Sequence, residues 1–166
     1  MTGGVVIWFT GLPASGKTRL AACVRSRIGG ILLDSDVLRD VFGTADYEDR
    51  DAFYRRLAQL AAHLATQGHR VLVAATAPRC AHRELARMLA PAFLEVFVAT
   101  PLEECMRRDP KQLYARARAG DAPLLPGVGV PYEPPVHPDV TVSTSEDEAV
   151  VIEAVAEIER RAQSVA

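Results

Sequence analysis

Residues 11 to 18 read GLPASGKT, a full match to the pattern GxxxxGK[ST]. In such a stretch Gly11 and Gly16 allow the backbone N–H groups to wrap a phosphate. Leu12, Pro13, Ala14 and Ser15 complete the loop, Lys17 reaches the β and γ oxygens, and the Thr18 hydroxyl is a magnesium ligand. The chemistry this predicts is binding of ATP with Mg²⁺. The pattern carries that meaning only between a strand and a helix, and both are expected here. Val5 to Thr10 (VVIWFT) is a continuous apolar run of the kind a buried parallel strand shows. Lys17 to Ile28 then places Leu20, Ala21, Val24 and Ile28 at helical spacing before Gly29 and Gly30.

A phosphate site also needs a carboxylate on its metal side. Many ATPases and GTPases carry it at the end of a later apolar strand, but the candidate strand here, Arg70 to Ala75, runs out into Ala74, Ala75 and Thr76. The short strand Ile31 to Leu33 instead leads into Asp34, Ser35 and Asp36. If that segment is extended, its alternate side chains point the same way and both carboxylates face the phosphates. Asp36 is then the candidate orienting group or general base for an acceptor hydroxyl, and Asp34 the candidate for the magnesium water shell. For Asp36 the alternative is an Asx turn capping the following helix. A guanine-recognition loop would require Asn, and the chain contains none, which removes the GTPase reading.

The basic residues point to an anionic partner of small size. Of 19 Lys and Arg residues only Lys17 and Lys111 are lysines, which marks two positions where a planar guanidinium does not replace a compact ammonium. Arg39, Arg50, Arg55, Arg56, Arg79 and Arg83 lie on segments expected to converge near the strand ends, and at least two of them are expected in a pocket for an anionic acceptor. A net charge of −2 provides no overall field for nucleic acid or an anionic membrane surface. No apolar run nears the roughly 20 residues of a bilayer crossing, and no charged start precedes a cleavable segment, so a cytoplasmic protein is expected. Cys23, Cys80 and Cys105 form no CxxC pair and are expected as small core residues. His63, His69, His82 and His137 share no metal-ligand spacing.

Further elements position these groups. Helices are expected over about Asp51 to Gln67, over Cys80 to Leu89, from Pro101, and over about Glu146 to Ala162. Leu94 to Ala99 and Val140 to Val142 complete the strands. Residues 108 to 138 are rich in proline and glycine with little apolar periodicity, the texture of a mobile lid over a site. The alternation predicts a single α/β domain over residues 1–166: a three-layer, doubly wound parallel sheet with ligands at the carboxyl ends of its strands.

These residues together resemble the adenylylsulfate kinases. The resemblance runs nearly end to end and rests on IWFTGLPASGKT at 7–18, LDSDVLR at 33–39, EDR at 48–50 with Arg55 and Arg56, and Ala77-Pro78. Its most specific parts are RDPKQLYARARAG at 108–120 and PYEPPVHPD at 131–139. It implies a P-loop kinase that uses ATP and Mg²⁺ to phosphorylate the 3′-hydroxyl of adenylylsulfate in sulfate activation, works as a homodimer, and closes a lid bearing Arg108 and Lys111. It places Arg39, Arg50, Phe53, Ala77, Pro78 and Leu125 beside the acceptor. The sequence departs from the family on that side. DGDN reads DSDV, with Ser35 and Val37. The loop after Arg39 is short and lacks a Gly-Phe, leaving Phe42 or Tyr47 to stand in. An Asn is Phe53 and a Ser is Ala77. The lid's Phe-Thr-Gly-Ile-Asp reads Leu125, Pro126, Gly127, Val128 and Gly129. Two other readings stay open: a kinase of the same fold for another anionic alcohol or nucleotide, and a nucleotide-binding module without turnover.

Overall fold

The computed structural model describes residues 3–43, 49–143 and 147–165. Its layers follow from strand β1 (Val5–Thr10), every residue of which is buried. Successive side chains of a strand leave on opposite faces. Val5, Ile7 and Phe9 accordingly pack with Leu20, Val24, Val155 and Ile158, while Val6 and Trp8 pack with Phe53, Tyr54 and Leu57. The first group of helices is α1 (Lys17–Ile28) and α7 (Glu148–Val165). The second is α3 (Arg50–Thr66) and α4 (Cys80–Leu89).

Between these layers lies a five-stranded sheet in the order β2-β3-β1-β4-β5, with β2 Ile31–Asp34, β3 Arg70–Ala74, β4 Phe93–Val98 and β5 Val140–Val142. All pairings are parallel. Register runs from Val5↔Arg70 to Phe9↔Ala74 on one side of β1 and from Val6↔Phe93 to Thr10↔Phe97 on the other. Thr10, Asp34 and Ala74 therefore end their strands at one edge, with the loop 11–16 leaving from the centre. The expected doubly wound α/β sheet is what forms.

Two segments differ from expectation. Helix α2 (Ser35–Phe42) begins directly after β2, so Asp34, Ser35 and Asp36 are not one extended run. The proline-rich segment contains the end of α5 (Leu102–Arg108) and a short helix α6 (Leu113–Arg118). Cys105, Tyr114 and Leu125 are its buried centre, packed against Leu12, Leu102 and Met106. Asp109 starts α6: its Oδ1 accepts from Tyr114 N at 3.1 Å and its Oδ2 from Ala115 N at 3.0 Å, satisfying donors that a helix start otherwise leaves open. Six residues are too few to show a 3.6-residue period, which is why the sequence pattern missed this helix. Gly129 is the tight point of the same segment, because a Cβ there would lie 1.6 Å from the Pro123 carbonyl oxygen.

Of the cysteines, only Cys105 is buried; Cys23 and Cys80 are partly exposed, and all three are free. Tyr47, Glu48 and Glu146 lie outside the described residues. Among the described residues no helix is long and apolar enough to cross a membrane.

Candidate active site

The loop from β1 to α1 closes on Lys17. Gly16, at φ 100°, takes the left-handed conformation that starts α1 without a side-chain cap. Lys17 is only 9% exposed. Its Nζ donates to the carbonyls of Gly11 (3.1 Å) and Leu12 (2.7 Å) and to Ser15 Oγ (3.4 Å). Burial pulls its pKa down to about 8, against the opposing fields of Asp36 and Asp34. Two side chains hold the loop from outside. The Thr100 hydroxyl donates to the Ser15 carbonyl at 2.7 Å, and the Tyr114 hydroxyl donates to the Pro13 carbonyl at 2.8 Å.

Asp34 has two tasks, one per oxygen. As N-cap of α2, its Oδ1 accepts from Asp36 N at 2.9 Å. Its Oδ2 accepts from the Thr18 hydroxyl at 2.7 Å. The capping turn that sequence reasoning weighed for Asp36 thus belongs to Asp34, and it fixes that carboxylate beside Thr18. Asp36 stands in the first turn of α2 and reaches the same space from a helix rather than by strand alternation. Its Oδ2 accepts from Lys111 Nζ at 2.5 Å across an exposed gap. Lys17, Thr18, Asp34, Asp36, Arg108 and Lys111 all line one cavity of about 520 Å³.

At the end of α5, Arg108 Nε donates to Glu104 Oε1 at 2.8 Å. Together with Arg107 it holds the Glu104 carboxyl down to about 2. Arg50 Nη2 donates to the Leu124 carbonyl at 2.7 Å, tying α3 to the proline-rich segment. Arg39, one turn beyond Ser35 on α2, lies with its guanidinium carbon 4.1 Å from the centre of the Phe53 ring. Phe53, Ala77 and Leu125 are themselves without exposed surface, so their side chains face protein. Pro78 is likewise buried, and its carbonyl accepts from Glu133 N at 2.7 Å. Of the six arginines expected to converge, Arg55 and Arg56 are exposed on α3. Arg79 pairs with Asp51 at 3.0 Å. Arg83, 2% exposed, is consumed by Glu95 (2.8 Å) and by the carbonyls of Ala77 (2.5 Å) and Glu133 (2.7 Å). Arg39 and Arg50 lie instead on the Phe53 ring and the Leu124 carbonyl, and neither lines the cavity that holds Lys17.

Several supporting residues were not singled out from the sequence. Tyr132 lies 3.0 Å from the Thr10 hydroxyl, which donates to the Thr76 carbonyl at 2.7 Å, and Glu133 Oε2 accepts from Cys80 N at 2.6 Å. The PYEPP segment thereby docks onto the exits of β1 and β3. Burial pushes the Tyr132 hydroxyl up to about 12, so it remains a neutral partner. His82, buried between Tyr54 and Asp51, has its pKa lowered by desolvation and contacts Asp51 at 2.6 Å. Among the described residues no group of three His, Cys, Asp or Glu side chains could hold a metal on its own.

Residues 3–143 match the family model described as adenylylsulphate kinase. The chain belongs to the adenylylsulphate kinase family. Among curated relatives, an adenylyl-sulfate kinase of Lactiplantibacillus plantarum is 40% identical over 85% of this chain and 73% of its own length. The bifunctional enzyme NodQ of Azospirillum brasilense is 44% identical over 94% of this chain, which spans only 27% of that protein. Among solved structures, the Mycobacterium tuberculosis APS kinase CysC in complex with AMPPNP and APS superposes with a TM-score of 0.84 and 39% identity, covering 96% of this chain and 99% of that one.

Proposed function

We propose that this chain transfers the γ-phosphoryl group of ATP to the 3′-hydroxyl of adenylylsulfate, giving 3′-phosphoadenylylsulfate and ADP. The observation that carries this reading is the convergence of Lys17, the Thr18–Asp34 pair, Asp36 and Lys111 on one cavity, in a chain of this family. The loop 11–16 and Lys17 hold the β- and γ-phosphates, Lys17 exchanging loop carbonyls for phosphate oxygens. Thr18 and Asp34 fit magnesium because they offer two hard oxygen donors 2.7 Å apart, and magnesium takes its remaining ligands from phosphate and water. When bound, the metal neutralises charge on the transferring group.

Asp36 accepts the proton of the acceptor hydroxyl as that oxygen bonds to the γ-phosphorus and the bridging oxygen leaves with ADP. To do so it gives up Lys111, whose ammonium then serves the phosphates along with Arg108. Arg39 and Arg50 meet the anionic end of the acceptor. Phe53, Ala77, Pro78 and Leu125 form the packed wall behind it rather than a stacking surface. The whole chain works as one cytoplasmic kinase domain, with residues 108–138 as lid, and pairs as a homodimer. Transfer to a different anionic alcohol is the second reading, favoured by the burial of Phe53, Ala77 and Leu125 where acceptor contacts were expected.

The test is ADP release by purified protein with MgATP, with and without adenylylsulfate. Strong stimulation by adenylylsulfate is expected. ATP binding without stimulation would transfer the assignment to another acceptor.

A further inference from the structure

The turn that leaves β3 takes a backbone conformation that its own residues disfavour. Ala77 lies at φ 41°, in the left-handed region, although it carries a Cβ and precedes Pro78, whose ring biases the residue before it toward extended backbone. Such a conformation persists only where the surroundings impose it. Here the three carbonyls of the turn are each held: that of Thr76 accepts from the Thr10 hydroxyl at 2.7 Å, that of Ala77 from Arg83 Nη1 at 2.5 Å, and that of Pro78 from Glu133 N at 2.7 Å. Arg83 ties this clamp to the rest of the molecule. Its Nε donates to Glu95 Oε1 on β4 at 2.8 Å, and its Nη2 donates to the Glu133 carbonyl at 2.7 Å. Arg83 is 2% exposed and does not line the cavity that holds Lys17, but Thr76 does, together with Asp34 and Asp36.

We propose that Arg83 is a positioning residue for phosphoryl transfer: its bond to the Ala77 carbonyl holds the left-handed turn, and the turn sets Thr76 in the cavity wall shared with Asp34 and Asp36. This rests on the adenylylsulfate reading above, in which Ala77 and Pro78 stand behind the acceptor. A guanidinium suits the task because its fork serves β4, the turn and the PYEPP segment at once, which a single ammonium cannot do. Without that bond Ala77 relaxes toward negative φ and Thr76 shifts in the wall, while the loop 11–16 keeps the contacts that hold Lys17.

Rescue by glycine tests it. Arg83→Lys keeps a cation for Glu95 but lacks the fork, and should lower kcat/KM for adenylylsulfate about five- to fiftyfold, with the KM for ATP within about twofold of wild type. Glycine takes positive φ without help. Ala77→Gly in the Arg83→Lys background should therefore restore kcat/KM to within about threefold of wild type, and alone should change it by less than about twofold. An Arg83 that served stability alone would lower the thermal midpoint and gain nothing from the glycine. Absence of rescue, or parallel losses for both substrates, would overturn the proposal. A second measurement needs neither a ligand nor a stable Arg83 variant: backbone NMR couplings of the isotope-labelled wild-type chain should place Ala77 at positive φ. A negative φ would overturn the held turn. Wild-type protein that shows the positive φ but no adenylylsulfate-dependent ADP release would overturn the substrate reading instead, and with it the role of the turn.

Discussion

Lys17 and Lys111, the two lysines of the chain, face one cavity from opposite surroundings. Lys17 is 9% exposed and held by three oxygens of its own loop. Lys111 has a side chain 60% exposed and meets the carboxylate of Asp36, contributed by an element 75 residues away. The oxygens that hold the first all come from its own loop. The second depends on how the segment after α5 lies against α2. The Lys17 side of the cavity is therefore held by contacts within one loop, whereas the Lys111 side is assembled from distant elements. The departures from the family pattern at Val37, Phe53 and Leu125 fall outside the Lys17 loop.

The sharpest way to break the comparison is to remove the preorganised cation. Lys17→Ala should lower turnover by about a thousandfold or more in the ADP-release assay, while the thermal midpoint shows that the fold is kept. A variant that retained a tenth of the activity would mean that the loop carbonyls around Lys17 are its destination and not a resting place.

Next comes the carboxylate that Lys111 engages. Asp36→Asn should reduce kcat by roughly 100- to 10,000-fold, with the KM for ATP changed by less than about threefold, because the amide keeps the shape but cannot take the hydroxyl proton. Parallel loss of kcat and of ATP affinity would instead assign Asp36 to the metal side with Asp34, and the two faces of the cavity would no longer be distinct.

How much of this was legible beforehand follows the same division. Strand β1, the loop and α1 were readable to the residue, since apolar run, glycines and helical spacing are local signals. Asp34 and Asp36 were readable as chemistry but not as geometry. Period-two reasoning fails once Asp34 caps a helix that starts at the next residue, and the cap, not alternation, aims its second oxygen at Thr18. Arg83 was grouped with pocket arginines although FLEVFV holds a carboxylate, Glu95, in an otherwise apolar strand. A buried charge of that kind requires a partner, and this was the available signal. Helix α6 was hidden by its length, and its anchor Tyr114 by the lack of any local mark.

The buried ammonium has a pH consequence that sharpens the contrast further. With its folded pKa lowered to about 8, Lys17 is mostly neutral at pH 9. A triphosphate favours the charged form and raises that pKa, so ATP binding at pH 9 should take up as much as one proton, and at pH 7 almost none. Calorimetry in buffers of differing ionisation heat reads this directly, and Lys17→Met should abolish it. The stability term has the same origin and follows from the sign: unfolded Lys17 binds more protons than folded between about 8 and 10.5, so its contribution to stability rises with pH across that window and is lost as pH falls through 8. Lys111→Met should leave both effects in place.

The smallest expected effect belongs to the link between the two regions. Tyr114 lies in the lid segment, is 1% exposed, and donates its hydroxyl to the Pro13 carbonyl of the phosphate loop at 2.8 Å. Burial raises its pKa above the usual phenol range, so it remains a donor wherever the protein is folded. Tyr114→Phe keeps the ring among Cys105, Leu125 and Leu12 and removes only the hydrogen bond, leaving the Pro13 carbonyl without this donor. Denaturant unfolding should show a loss of about 1–3 kcal/mol. If the bond serves stability alone, the KM for ATP will hold. If it also sets the loop, that KM will rise severalfold with kcat unchanged, and the lid's α6 becomes part of the preorganised side, leaving only Lys111 and the residues beyond it to the assembled one.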